Sequence, residues 1–150
     1  MDWRNDRIKA CQTGTNPMLI KELIGGFAVF GDTQFLPGYC VLLPKKTVGS
    51  LNEFSLKERQ EFLVSMSILG DAILAACSPL RVNYDILGNT DQFLHAHVFP
   101  RYLWEKEERR SKPVWLYSAS HWTSPLDAYD EEKHLVIRQR IAAYLNDFAG

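Results

Sequence analysis

The sequence predicts an α+β domain built on an antiparallel sheet. Three observations predict it. Strand-like runs come in pairs, one long helical pattern separates the pairs, and a second helical pattern closes the chain. A length of 150 residues suits a single domain with a sizeable core. A hydrophobic content of 46% and a charged content of 23% are ordinary for a soluble globular protein.

Taken in order, residues 2–12 suit a short helix stopped by Thr13-Gly14-Thr15-Asn16-Pro17. No element is assigned from there to Gly26. Gly26-Phe27-Ala28-Val29-Phe30 is a strand candidate, and residues 31–38 are a connecting loop. Tyr39-Cys40-Val41-Leu42-Leu43 is a second apolar run, closed by Pro44-Lys45-Lys46. The clearest helix covers Leu56–Cys77. Ser55 and Glu58 form a capping box at its start, each satisfying a free N–H of the first turn. Leu56, Phe62, Leu63, Met66, Leu69, Ile73 and Leu74 make an apolar stripe at helical spacing, expected to face the core. Ser78-Pro79 ends this helix.

Residues 81–87 are a third strand candidate, and Gly88-Asn89-Thr90-Asp91 turns the chain into a fourth, residues 93–99. So short a connection favours an antiparallel hairpin. Residues 104–122 read as mostly irregular, with the charge run 105–110 as a solvated loop. A last helix starts near Asp130, where Glu131 and Glu132 suit its N-terminal dipole. Ile137, Ile141, Tyr144, Leu145 and Phe148 are its expected inner face. His121 and His134 read as surface histidines. There is no internal repeat.

Several function classes are disfavoured. The net charge of −1 gives no long-range pull toward nucleic acid or an anionic membrane, so an anionic ligand must be held locally. Cys11, Cys40 and Cys77 are odd in number and lack metal-like spacing, which argues against a disulfide framework or zinc knuckle. The charged N-terminus lacks an apolar signal core. The longest apolar run, residues 68–77, is interrupted by Gly70 and Asp71 and is too short to span a bilayer. These features predict a reduced, cytoplasmic setting.

The chemistry concentrates in Phe93-Leu94-His95-Ala96-His97-Val98-Phe99-Pro100-Arg101. Strand periodicity puts His95 and His97 on one face with Phe93 and Phe99, and Leu94, Ala96 and Val98 on the other. Three readings are open. The histidines are structural, hydrogen-bonded at a sheet surface. Alternatively they are two metal ligands, but the acidic ligand that follows closely in a cupin-like site is missing, because Pro100-Arg101-Tyr102-Leu103-Trp104 intervenes before Glu105. In the third reading, a neutral imidazole attacks phosphorus. A backbone carbonyl accepting from Nδ1–H would fix the tautomer and leave Nε2 as nucleophile.

Four stretches in order resemble the histidine triad (HIT) superfamily of nucleotidyl hydrolases and transferases. The first is the histidine strand with Pro100-Arg101. The second spans Asp32, Pro37-Gly38 and Val41-Leu42-Leu43-Pro44-Lys45-Lys46. The third is the Ser55 helix. The fourth is Leu87-Gly88-Asn89 with Pro113-Val114-Trp115, similar to a bacterial branch of the family. The resemblance covers residues 20–116 or so of a single domain 1–150, with residues 117–150 as a C-terminal segment and helix. It implies a sheet of about five antiparallel strands with a long central helix and a C-terminal helix.

The resemblance also implies roles. His95 corresponds to the nucleophile, with its Nδ1–H on the carbonyl of residue 93, and His97 to the histidine that contacts the α-phosphate. Asn89 looks like the polar residue that reaches the phosphate or leaving group, and Gln34 is either an exposed loop amide or a further residue of that kind. Asp32 is similar to the residue that holds the ribose hydroxyls. Phe93 replaces the first triad histidine, and Tyr39 replaces the histidine after the loop glycine, where it either restores one bond through its hydroxyl or packs as a strand aromatic in the core. Trp104, Trp115 and Trp122 lie where one ring can close over a base or leaving group, or where each packs the C-terminal segment on the domain. The implied activity is that of a nucleotide phosphohydrolase or nucleotidyl transferase. It acts at the α-phosphate of a purine nucleotide, such as a dinucleoside polyphosphate or nucleoside phosphoramidate, through a covalent nucleotidyl-histidine. The alternative is a nucleotide-binding module with little or no turnover. No cofactor or metal is required, although a divalent cation can accompany a polyphosphate substrate. A homodimer is expected, paired through the long helix and an edge strand.

Overall fold

The computed structural model describes residues 2–148. Asp2 caps a short 3-10 turn at Trp3–Asn5, and Asp6 then accepts from the Lys9 N–H to start α1 (Arg7–Thr13). Two competing aspartate caps therefore split the single helix expected at the N-terminus. Gly14, in the left-handed conformation, closes α1.

Five strands follow: β1 (Leu19–Leu23), β2 (Gly26–Phe30), β3 (Cys40–Leu43), β4 (Arg81–Asp85) and β5 (Ala96–Arg101). They form one sheet in the order β1-β2-β3-β5-β4, and every pairing is antiparallel. Strand β1 escapes sequence reading because Leu19-Ile20-Lys21-Glu22-Leu23 does not alternate, and its register slips between Leu19 and Lys21. Strand β5 begins at Ala96 rather than Phe93. The preceding Leu94 N–H is drawn off to the Val48 carbonyl, which holds His95 just outside the ladder.

Helix α2 (Leu56–Cys77) has the boundaries the sequence predicts, and both hydrogen bonds of the Ser55–Glu58 capping box are present. Its buried line is Phe62, Ser65, Ile68, Leu69, Ala72 and Ile73. Leu56 and Leu74, expected in the core, are 71% and 42% exposed. The helical repeat turns them past the edge of the sheet-facing stripe, and Ser65 and Ala72 take inward positions instead. Buried Ser65 accepts from the Gly25 N–H and so ties the β1–β2 turn to the helix. By length and mean hydropathy (1.4) α2 is sufficient to cross a membrane, unlike the shorter run read from the sequence. Here its apolar side packs on β2, β3, β4 and β5.

A short helix α3 (Glu107–Arg110) replaces the solvated loop expected at 105–110. Glu105 is 3% exposed and pairs with buried Arg101. Helix α4 (Glu131–Asp147) is capped by Asp130 and packs on α2 and β1 through Ile141 and Leu145. His134, expected at the surface, is buried, and its Nδ1 accepts from the Asp130 N–H. Burial lowers its pKa, so it stays neutral in that bond. Phe148, expected on the inner face, lies past the last turn and is 40% exposed.

The main core runs from Ile8 to Leu145 and fills one face of the sheet. The packed unit therefore extends on both sides of residues 20–116. Cys11, Cys40 and Cys77 are free thiols. On the opposite face a smaller cluster gathers Leu36, Tyr39, Phe99 and Val114. The candidate site lies on that second face.

Candidate active site

Alternation along the histidine segment sorts its side chains as the sequence predicts. Leu94, Ala96 and Val98 enter the main core. Phe93, His95, His97 and Phe99 line up on the other side, with neighbouring ring centroids 4.7, 4.8 and 5.8 Å apart.

The two imidazoles are held differently. His95 Nδ1 lies 2.8 Å from the Phe93 carbonyl oxygen. A carbonyl only accepts, so Nδ1 carries the hydrogen, and the neutral form of the ring bears its lone pair on Nε2. His97 Nδ1 lies 2.7 Å from Tyr39 Oη. Burial holds the Tyr39 phenol well above its usual pKa, so it remains protonated. His97 is pushed down to about 4 by burial and by His95 beside it. His97 Nδ1 is the hydrogen-bond partner of the buried Tyr39 hydroxyl, whose O–H is satisfied by donating to it, and a neutral His97 then carries its hydrogen on Nε2. One ring thus offers a lone pair at Nε2, and its neighbour offers an N–H at Nε2.

Tyr39 reaches this position through the loop before β3. Its ring stacks on Phe99 at 4.2 Å and lies so close to Gly31 that a side chain there would meet it at 2.2 Å. Gly38 has φ +105°, a conformation that glycine adopts without strain. Gln34, expected to be an exposed loop amide or a phosphate contact, is instead 3% exposed. Its amide donates to the Gly31 and Tyr39 carbonyls and accepts from the Gly38 N–H. Those bonds use the side chain to hold the loop, which replaces its expected nucleotide contact.

The remaining expected residues are spread around the two histidines. Asp32 lies at the end of β2, and its carboxylate is bound by Arg7 of α1 at 2.8 and 3.3 Å. Phe93 covers one side of His95. Asn89 is exposed in the β4–β5 connection, next to Gly88. Gly88 and His95 share a cavity of about 260 Å³ with Phe93, Leu87 and residues of the segment 49–52. The 49–52 segment has no sequence signal of its own, because only the tertiary fold brings it to His95. Among the described residues no three His, Cys, Asp or Glu side chains group in a way that could hold a metal ion.

The C-terminal segment covers the rest of this face. Trp115 meets His97 edge-on at 4.9 Å and Phe99 at 5.5 Å, and Trp122 stacks on Trp115 at 5.3 Å. Trp104 instead stacks on Tyr102 at 5.0 Å. His121 is half-buried and pairs with Asp127 at 3.0 Å. The Gln34 and Tyr129 N–H groups donate to the Asp127 and Asp32 carbonyls, which anchors this segment to the β2–β3 loop.

The fold is shared with solved histidine triad proteins. The structure of a histidine triad (HIT) protein from Sinorhizobium meliloti matches with a TM-score of 0.73 at 19% identity, covering 96% of this chain and 95% of that one. A histidine triad protein from Marinobacter aquaeolei matches at 0.71 and 20% identity, covering 87% and 90%. A hypothetical histidine triad nucleotide-binding protein from Sulfolobus tokodaii matches at 0.68 and 14% identity, covering 93% and 91%. No protein-family model and no curated protein matches the sequence. The α+β architecture, with its five-stranded antiparallel sheet, is the histidine triad fold.

Proposed function

We propose that this chain is a nucleotide phosphohydrolase or nucleotidyl transferase that works through His95. The observation that carries the reading is the pair of complementary tautomers. His95 Nδ1–H is engaged by the Phe93 carbonyl, and His97 Nδ1 accepts from Tyr39. In this reading His95 Nε2 attacks the α-phosphorus. The bond from phosphorus to the leaving group breaks, and its electron pair departs with that group. His97 Nε2–H donates to a phosphate oxygen and stabilises the developing charge. Water then releases the nucleotide from His95, or an acceptor hydroxyl takes it.

In this reading the ribose sits at Asp32, in the loop just past β2, and its α-phosphate at His95, with Asp32 shared between the ribose and Arg7. Asn89 reaches the leaving group from the exposed β4–β5 turn. Phe93 stands where the resemblance puts the first triad histidine, and supplies its carbonyl rather than a side-chain donor. Diadenosine polyphosphates and adenosine phosphoramidates are the substrate classes to test, with a divalent cation accompanying the former. We place the protein in the cytoplasm, and as a homodimer through α2 and the edge strand β4. Val64, Leu74 and Tyr84 are exposed there.

Incubation with both substrate classes, beside His95→Ala, tests the mechanism. The parent forms product and a nucleotidyl adduct on His95 detectable by mass spectrometry. His95→Ala is slower by about a thousandfold or more. Turnover that survives His95→Ala overturns the reading. The second reading, a binding module, draws on Phe93 packed against His95. It prevails where nucleotide binds and no substrate yields product.

A further inference from the structure

We propose that Arg7 is a positioning residue that makes Asp32 a reader of the ribose cis-diol, so that the site selects ribonucleotides over 2′-deoxyribonucleotides. This rests on the reading of Asp32 as the ribose contact, and adds to it a residue from outside the stretches that resemble the family. Arg7 Nη1 and Nη2 lie 3.3 and 2.8 Å from Asp32 Oδ1 and Oδ2, one nitrogen to each oxygen. That fork fixes the plane of the carboxylate, which a single donor leaves free to rotate. A carboxylate has about four acceptor positions. The fork occupies one on each oxygen, and the second on each remains for a hydroxyl. The Asp32 side chain is 47% exposed, so those positions are open to a ligand. Two adjacent hydroxyls match two adjacent oxygens, and a sugar without its 2′-hydroxyl leaves one oxygen without a donor.

Both partners are held in place from separate parts of the chain. The Arg7 carbonyl accepts from the side chain of buried Asn16. The Arg7 guanidinium lies over the Trp3 ring, 4.9 Å from its centroid, and Trp3 packs against the main core. On the other side, the Asp32 carbonyl accepts from the Tyr129 N–H, and Thr33 bridges to Ala128. The N-terminal helix and the C-terminal segment therefore converge on one acidic residue. An ion pair this exposed adds little to stability on its own. A pair whose two members are already oriented is suited instead to binding, because a ligand need not order them. Arg7 also sets the local charge. A nucleotide brings negative charge to a protein of net charge −1. An unpaired Asp32 carboxylate repels it, and Arg7 offsets that repulsion. Charge and fork geometry are separable, because lysine supplies the first without the second.

Isothermal titration of the full chain with adenosine 5′-monophosphate and its 2′-deoxy analogue tests the role, with affinities taken per folded molecule from circular dichroism. The parent prefers the ribonucleotide by about tenfold or more. In Arg7→Ala the preference falls to about twofold or less, and ribonucleotide affinity drops. In Arg7→Lys ribonucleotide affinity returns to within about threefold of the parent while the preference stays low. A merely structural tie between α1 and the sheet weakens both ligands equally and leaves their ratio unchanged, a result that overturns the proposal. So does a parent that binds the two ligands alike. Asp32→Ala separates these outcomes from failure of the ribose reading. If Asp32→Ala binds the ribonucleotide as tightly as the parent, or the parent binds neither ligand, that reading falls and the proposal with it. If Asp32→Ala weakens binding while Arg7→Ala keeps the parent's ratio, the ribose reading stands and Arg7 is structural.

Discussion

The two faces of strand β5 carry residues of the same strand into opposite roles. Leu94, Ala96 and Val98 pack into the main core beneath α2. Of the alternate residues, Phe99 joins a smaller cluster of loop and C-terminal residues, Phe93 packs at the margin of the main core, and His95 and His97 between them are each fixed by one hydrogen bond. The helix-covered face supplies stability through buried area. The other face uses that rigid backbone to hold two histidine tautomers about 5 Å apart, with centroids at 4.8 Å. The period of two therefore lets folding and chemistry be altered separately.

The most severe way to break this division is on the helix face. Phe62 is fully buried beneath the sheet. Phe62→Ala lowers stability by about 3–5 kcal/mol in urea denaturation. If the faces are separable, nucleotide affinity per folded molecule changes less than threefold, and a tenfold loss would show them to be coupled. A smaller effect is expected from Tyr39→Phe on the site face. It leaves His97 Nδ1 buried without a donor, at a cost of about 1–3 kcal/mol. Nitrogen NMR of His97 then reports mixed tautomers where the parent shows Nε2–H alone, and retention of a single tautomer would deny Tyr39 its orienting role. The smallest effect is on acid stability. His97 in the fold is held down at about 4, whereas an unfolded histidine titrates near 6.5. The unfolded chain binds the extra proton, so stability is full above about pH 6.5 and declines as pH falls toward 4. That part of the decline is absent in His97→Gln, and an identical pH profile in the two proteins would place the proton elsewhere.

Much of the helix-covered face was legible in the chain. The Ser55–Glu58 box and Ser78-Pro79 bound α2, and alternation sorted residues 93–99 between faces. These signals act within a few residues and survive any tertiary context. Strand β1 was not legible, because an edge strand needs no clean alternation. Glu105 reads as part of a solvated charge run until Arg101 is brought beneath it. Gln34 and His134 bond backbone groups only three to five residues away, but their burial depends on what the fold packs over those local turns.

The sequence by itself determined the local frame: one long capped helix, the strand pairs, and two histidines on one face. The tertiary structure alone decided the partners of those histidines. Tyr39 meets His97 across 58 residues of chain, Asp85 faces His97 from the edge strand, and Trp115 arrives from beyond the sheet. Propensity, capping and periodicity act over one or two turns or a few strand residues. Strand order and register follow from burying the whole core at once.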